Sequence, residues 1–150
     1  MARPPLLPTA LTGTPDDTEA QFYEALQLRD IERLMALWAD DDEIFCVHPG
    51  GPRVVGAAAI RASFAAIFAN GGIPVQPEQV HRLQHPGCAL HHLVERVAVP
   101  TEGGTQSAFV LATNVSLETP LGWRLAAHHA SPGSTQPPPV AGDDAPSTLH

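Results

Sequence analysis

The sequence predicts an α+β fold in which three N-terminal helices pack on one face of a curled antiparallel sheet. Up to Phe68 the apolar residues recur at i+3 and i+4, as in helices, whereas from Val75 onward they alternate, as in strands. Long strands accumulate twist, so the sheet must curl. A curled sheet covered by helices encloses a cone-shaped space.

The first two helices have clear start signals. Thr14 is a suitable N-cap, Pro15 fits the first helical position, and Asp16 and Asp17 face the positive end of the helix dipole. After Asp30, a second N-cap, an apolar stripe predicts a second helix through Ile31, Leu34, Met35 and Trp38.

The remaining elements follow from spacing and from turn residues. Residues 44–47 form a short strand, residues 48–52 a Pro- and Gly-rich turn, residues 54–56 a second short extended piece, and residues 57–68 the third helix. Four extended runs follow at residues 75–83, 88–99, 105–117 and 123–130, and the segments between them are typical of hairpin turns.

Both ends of the chain differ in composition from its centre. Residues 1–15 and 132–150 are rich in proline and lack apolar periodicity, so we expect disordered tails there. Residues 16–131 form the predicted domain.

The charge of the chain excludes several kinds of partner. The formal net charge is −8, and the basic residues are all arginine, with no lysine. We therefore expect no nucleic-acid partner, no membrane partner and no Schiff-base chemistry. No window is apolar enough to span a membrane, and a cytoplasmic location is the expectation.

The histidines do not have the spacing of a metal site. His91-His92 and His128-His129 are adjacent on predicted strands, so the members of each pair point to opposite faces. We expect no metal and no cofactor, although zinc bound by one histidine of each pair stays an alternative.

Two segments resemble a known family. The stretch from Val47-His48-Pro49-Gly50 to Ile60-Arg61, and the closing segment from Trp123 to Ser131, resemble the NTF2-like superfamily and, within it, SnoaL-like proteins described as ketosteroid-isomerase homologues of unknown function. The closing segment is also similar to the association domain of calcium/calmodulin-dependent kinases. The resemblance implies a conical, cystatin-like barrel, usually dimeric, with an enclosed pocket. Because this fold hosts many unrelated activities, it does not fix the function.

The chain departs from the ketosteroid-isomerase pattern of an aspartate base facing a tyrosine and a protonated aspartate. Its single tyrosine, Tyr23, is on the first helix, and the predicted strands contain no aspartate. Steroid isomerisation in that form is therefore not expected, and an epoxide-hydrolase arrangement lacks its strand aspartates too.

Strand alternation selects His129 as a catalytic candidate. Trp123, Leu125, Ala127 and His129 share one face, so His129 should face the cavity, and Ala127 should leave space beside its ring. A neutral imidazole there would act as an acid or base near pH 7. The alternative is a core histidine bonded to the backbone.

Glu95 and Asn114 are the other polar candidates. Glu95 lies on the same face of its predicted strand as Leu93 and Val97. Burial there would raise its pKa toward that of a useful base. Pairing with an arginine or exposure at a dimer surface are alternatives. The resemblance to the kinase association domain implies a pocket position for Asn114, for which a structural role is the alternative.

The candidate walls of the pocket are mostly aromatic. His48 lies in the turn at the expected pocket mouth, and Trp38, Phe45 and Phe64 are interpreted as core residues that also form pocket walls.

Two functions remain open. One is an isomerase or lyase that transfers a proton on an apolar, carbonyl-containing substrate with His129 and Glu95. The other is a non-catalytic binding or dimerisation module. In both cases we expect a homodimer through the outer sheet face, where Val94, Ala98, Val115 and Leu117 would otherwise leave an apolar patch in water.

Overall fold

The computed structural model describes residues 13–72 and 74–142. Residues 1–12 and 143–150 of the predicted tails lie outside the described residues. Within the described C-terminal segment, Ser134 pairs with Phe109 of the sheet through two backbone hydrogen bonds of 2.7 and 2.9 Å. No helix in the described ranges is long and apolar enough to span a membrane.

Three helices form within the described residues, at the predicted places: α1 (Pro15–Leu28), α2 (Ile31–Ala36) and α3 (Ala57–Ala69). Capping residues mark the starts of α1 and α2, whereas α3 follows Gly56 without a side-chain cap. At the start of α1 the Thr14 hydroxyl accepts from the Asp17 amide at 3.2 Å, and the Asp17 carboxylate accepts from the Thr14 amide at 3.0 Å. This reciprocal capping box satisfies two amides that the helix itself leaves unbonded.

The prediction that α2 extends to Trp38 is wrong. The helix ends at Ala36 because the next residues bond to Leu125 of the sheet. The Leu125 amide donates to the Leu37 carbonyl, and the Ala39 amide donates to the Leu125 carbonyl, both at 2.7 Å. A tertiary pairing therefore replaces the last helical turn.

In the part of the chain that the structure describes, six strands form one open sheet: β1 (Phe45–Val47), β2 (Arg53–Val55), β3 (Val75–His85), β4 (Cys88–Thr101), β5 (Gly104–Thr119) and β6 (Gly122–Ala130). Their spatial order is β2-β1-β6-β5-β4-β3. All neighbours are antiparallel except β1 and β6, which are parallel, so the predicted antiparallel sheet is mixed at this one junction.

The helices cover the concave face of this sheet, and α1 is attached at both ends. Thr18 donates to the Trp123 carbonyl of β6 at 3.0 Å, and Gln27 donates to the Val75 carbonyl of β3 at 2.6 Å. Between these bonds Phe22 is fully buried. The predicted cone, with helices on a curled sheet, is confirmed.

A β-bulge in β6 decides which residues face the cone. Val115 pairs with Ala127, but Ser116 pairs with Leu125, so Ala126 is an extra residue. An extra residue reverses the alternation of faces beyond it. Leu125 points inward, His128 also points inward, and His129 lies exposed on the outer face.

The contribution of the Thr14 cap to the stability of α1 can be tested by mutation. Thr14→Ala should lower the free energy of unfolding by about 1 kcal/mol, because the Asp17 amide loses its acceptor. Urea denaturation measures this change. Thr14→Ser, which keeps the hydroxyl, is the matched control, and an equal loss in both variants would contradict the assigned role.

Candidate functional site

A small cavity lies between α1, α3 and the concave face of β4, β5 and β6. Its volume is about 100 Å³, and its walls include Leu26, Phe64, Phe68, Val75, Val97 and Val110. The titratable side chains that line it are Glu95, His48 and His128. Sites for drug-sized ligands occupy roughly 300–1,000 Å³, so this cavity suits a much smaller molecule.

Glu95 is the ionisable centre of the cavity. Its side chain is buried, and its Oε2 atom accepts a hydrogen bond from the Tyr23 hydroxyl at 2.7 Å. Burial raises the pKa of Glu95 to about 7; the Tyr23 hydrogen bond partly opposes this and the charge of Glu19 adds to it. Within the described residues its Oε1 atom has no hydrogen bond, and Glu95 lines the cavity.

Asn114, on the neighbouring strand, joins Glu95 to the rest of a buried polar network. Its amide nitrogen donates to Glu19 Oε2 at 3.0 Å and to the Tyr23 hydroxyl oxygen at 3.2 Å. Its amide oxygen lies 2.6 Å from Nδ1 of His128. The amide nitrogen must face Glu19 because a carboxylate only accepts, so the oxygen faces the histidine.

His128 occupies the inward position that alternation assigned to His129. The Asn114 oxygen only accepts, so Nδ1 of His128 carries the proton, and Nε2 is left with a lone pair 3.8 Å from Glu95 Oε2. Burial lowers the pKa of His128 to about 3, with His48 and His129 as further causes. The ring packs on Phe22 with centroids 5.1 Å apart and is neutral at pH 7.

His48 lies at one side of the same cavity. Its Nε2 atom is 2.9 Å from the Ser63 hydroxyl, which donates to the Ile60 carbonyl at 2.8 Å. The His48 ring also stands edge-on to Phe64, with centroids 4.7 Å apart. Burial lowers the pKa of His48, which favours the neutral ring.

The network continues from Glu19 to the protein surface. Nδ1 of His91, which is buried, lies 3.1 Å from Glu19 Oε1, and its Nε2 lies 3.7 Å from Asp16. Asp16 is half exposed and pairs with Arg82 at 2.8 Å. Polar groups therefore extend from the cavity carboxylate to solvent. Among the described residues, no group of three or more histidine, cysteine or acidic side chains is placed to hold a metal.

The sequence-selected residues separate into two groups. Glu95, Asn114, His48 and Phe64 lie at the cavity or its network. His129, Ala127 and Phe45 instead line a shallow depression on the outer face, so the prediction that they face the cavity is wrong. The bulge reverses β6, and Phe45 pairs with Ala127 on the same outer side. Trp38 is a core residue outside the cavity lining.

The three side chains that bond to Asn114 were not selected from the sequence: Glu19, Tyr23 and His128. Glu19 and Tyr23 are four residues apart and share the helical stripe of Phe22 and Leu26. A glutamate inside an apolar stripe was a usable signal. His128 could not be separated from His129 without the position of the bulge.

Comparisons with known proteins give a consistent result. The profile of the SnoaL-like domain matches residues 16–135. A candidate association domain of calcium/calmodulin-dependent protein kinase type II from Thiobacillus denitrificans is 33% identical, with a TM-score of 0.72 over 81% of this chain and 97% of the other. A candidate dehydratase of the NTF2-like family from Streptomyces avermitilis is 34% identical, with a TM-score of 0.68 over 77% and 91%.

A third similar structure supports the fold alone. An NTF2-like protein with a cystatin-like fold from Novosphingobium aromaticivorans is 20% identical, with a TM-score of 0.64 over 77% of each chain. No curated protein matches this chain closely in sequence.

The tautomer of His128 can be measured directly. Between about pH 8 and about pH 5 its ring should stay neutral with the proton on Nδ1, since burial opposes a charge and Asn114 accepts that proton. Long-range ¹H–¹⁵N NMR on the labelled protein reports both properties, with His128→Gln to assign the signals. Protonation of this ring near pH 6, or a proton on Nε2, would contradict the network.

Proposed function

The chain belongs to the SnoaL-like family of NTF2-like proteins, and we propose that it is a proton-transferring isomerase or lyase with Glu95 as its base. The observation that carries this proposal is the asymmetry of the Glu95 carboxylate. One oxygen is held by Tyr23, while the other has no hydrogen bond within the described residues and belongs to a side chain that lines the cavity.

The proposed reaction begins at a carbon next to a carbonyl group. Oε1 of Glu95 takes the proton, and the electron pair of the C–H bond moves into the carbonyl to form an enolate. Returning the proton to another carbon completes an isomerisation. Giving it to a departing hydroxyl group completes a dehydration. A pKa of about 7 suits both the removal and the return of the proton, because at neutral pH about half of the carboxyl groups are ionised and half are protonated.

The surrounding residues support this chemistry. The apolar walls keep the polarity around the carboxylate low, which preserves its basicity. Tyr23, which itself accepts a hydrogen bond from Asn114, holds Glu95 in place. The catalytic partner first assigned to Glu95, His129, is on the outer face, so His128 and His48 are the imidazoles available in the cavity.

Similarity to the candidate dehydratase from Streptomyces avermitilis favours the lyase form of the reaction. The chain is 34% identical to that protein over 77% of its own length. Because one fold hosts unrelated activities, the reaction itself is argued from the Glu95 site, and the similarity only favours one of its two outcomes.

The second proposal is a homo-oligomeric association module. The similar structure from Thiobacillus denitrificans is a candidate association domain. On the outer sheet face, Leu90, Leu111 and Leu117 are each 36% exposed and would be covered by a second copy. Val94 of the expected interface is already buried and borders the chain's own Pro138–Pro139 segment, so the proposed dimer uses the Leu90 and Leu117 end.

Proton transfer is testable without knowing the natural substrate. The protein in D₂O, incubated with small cyclic ketones and β-hydroxy ketones, should exchange their α-protons for deuterium, which ¹H NMR follows as loss of signal. The rate should rise with pH through about 7, as Glu95 ionises.

The variants make this experiment decisive. Glu95→Gln should lower the exchange rate by about 100-fold or more, because a general base is removed. Glu102→Gln, at an exposed hairpin, is the matched control and should leave the rate unchanged. Equal rates for Glu95→Gln and the unaltered protein would reject the assigned base; a folded protein with no exchange at all would favour the association module.

A further inference from the structure

When Glu95 is ionised, the side-chain polar atoms left without a hydrogen bond on the residues that line the cavity are all hydrogen-bond acceptors. They are Oε1 of Glu95, Nε2 of His128 and Nδ1 of His48, on three side chains that line the same space. None of these atoms has a hydrogen bond within the described part of the chain. An occupant that makes hydrogen bonds there must therefore supply the donors.

The assignment for His128 follows from Asn114. The Asn114 amide uses its N–H groups on Glu19 and Tyr23, so its oxygen receives the Nδ1 proton of His128. A neutral imidazole carries one proton, and Nε2 is consequently an acceptor.

The assignment for His48 follows from Ser63. The serine hydroxyl has one proton, which it donates to the Ile60 carbonyl at 2.8 Å. The 2.9 Å contact between Ser63 and His48 is then a hydrogen bond only if Nε2 of His48 donates. Nδ1 of His48 is left with its lone pair.

From this arrangement we propose that the cavity selects a protonated amine on a small apolar body. Two N–H groups of the ammonium would bond to the imidazole nitrogens, and the Glu95 carboxylate would balance its charge. The inference rests on the proposed function, and it narrows the substrate of that reaction to a small amino-substituted carbonyl compound. The proton removed by Glu95 would be on the carbon that joins the two groups.

None of the side chains that line the cavity is an arginine, so no cation of the protein itself lines the cavity to pair with Glu95 in place of the ammonium. The titratable groups around Glu95 come from α1, β1, the turn after β1 and β6; they are Glu19, Tyr23, Cys46, His48 and His128. Burial raises the pKa of Cys46 to about 12 and that of Tyr23 well above its usual value, so both stay neutral. The local charge at neutral pH is negative or zero.

The size of the cavity limits the body of the ligand. Apolar cavities of about 150 Å³ hold a benzene molecule. A cavity of about 100 Å³ therefore takes an apolar body of about four heavy atoms, with apolar contact from Phe64 and Val110.

Three probes of equal ring size separate the alternatives: cyclobutylammonium, cyclobutanol and cyclobutanecarboxylate. Isothermal titration calorimetry on the full chain should find the ammonium tightest and the carboxylate weakest. An alkylammonium stays charged below about pH 10. The fraction of ionised Glu95 rises about tenfold from pH 6 to pH 8, so affinity for the ammonium should rise about tenfold over this range, while affinity for cyclobutanol stays nearly flat.

Glu95→Gln should remove this pH dependence and weaken ammonium binding by about tenfold or more, because a neutral amide replaces the carboxylate. Glu102→Gln should bind as the unaltered protein does. The proposal is overturned if the folded protein binds the carboxylate probe as tightly as the ammonium, or binds no ammonium.

The two proposals can fail separately. Proton exchange on plain ketones without ammonium binding would reject only the ligand class. Ammonium binding without exchange on a small amino ketone would keep the ligand class and reject the reaction.

Discussion

The amide of Asn114 is the interaction on which the organisation of the site depends. Because an amide has a donor end and an acceptor end, its orientation fixes the proton positions on the groups around it. Its nitrogen end serves Glu19 and Tyr23, and its oxygen end serves His128. Tyr23 consequently donates to Glu95, and His128 presents a lone pair beside it. The directions of the hydrogen bonds that Tyr23 and His128 make beside the carboxylate follow from one asparagine on β5.

Burial shifts the pKa values of Glu95 and His128 in opposite directions, and in both cases it favours the neutral form. It raises the pKa of Glu95 and lowers that of His128, since the charged form is the costly one in each case. His128 is fixed as neutral, whereas Glu95 is brought to the pH range where it can gain and lose a proton. One environment thus produces a fixed acceptor and a working base, with Phe22 and the apolar walls supplying the low polarity.

The sequence predicts those parts of the structure that depend on local signals. The caps of α1 and α2 are recognised at Thr14 and Asp30, and Glu95 lies inward as alternation predicts because β4 pairs with β5 without a register shift. Alternation fails in β6, where one extra residue, Ala126, reverses the faces, and no glycine or proline marks its place. The prediction of the end of α2 fails for a related reason: Leu125, far away in the chain, donates to the Leu37 carbonyl and accepts from the Ala39 amide. Contacts between distant segments decided both positions.

The proposed chemistry requires that the Glu95 carboxyl changes its protonation state near neutral pH inside the cavity. Infrared difference spectra of the unaltered protein minus Glu95→Gln, recorded from acid to alkaline pH, isolate this one group. We expect a protonated carboxyl C=O band that is present at about pH 6 and is replaced by carboxylate bands at about pH 8. A carboxylate signal already complete at about pH 5, the behaviour of a solvated glutamate, would contradict it.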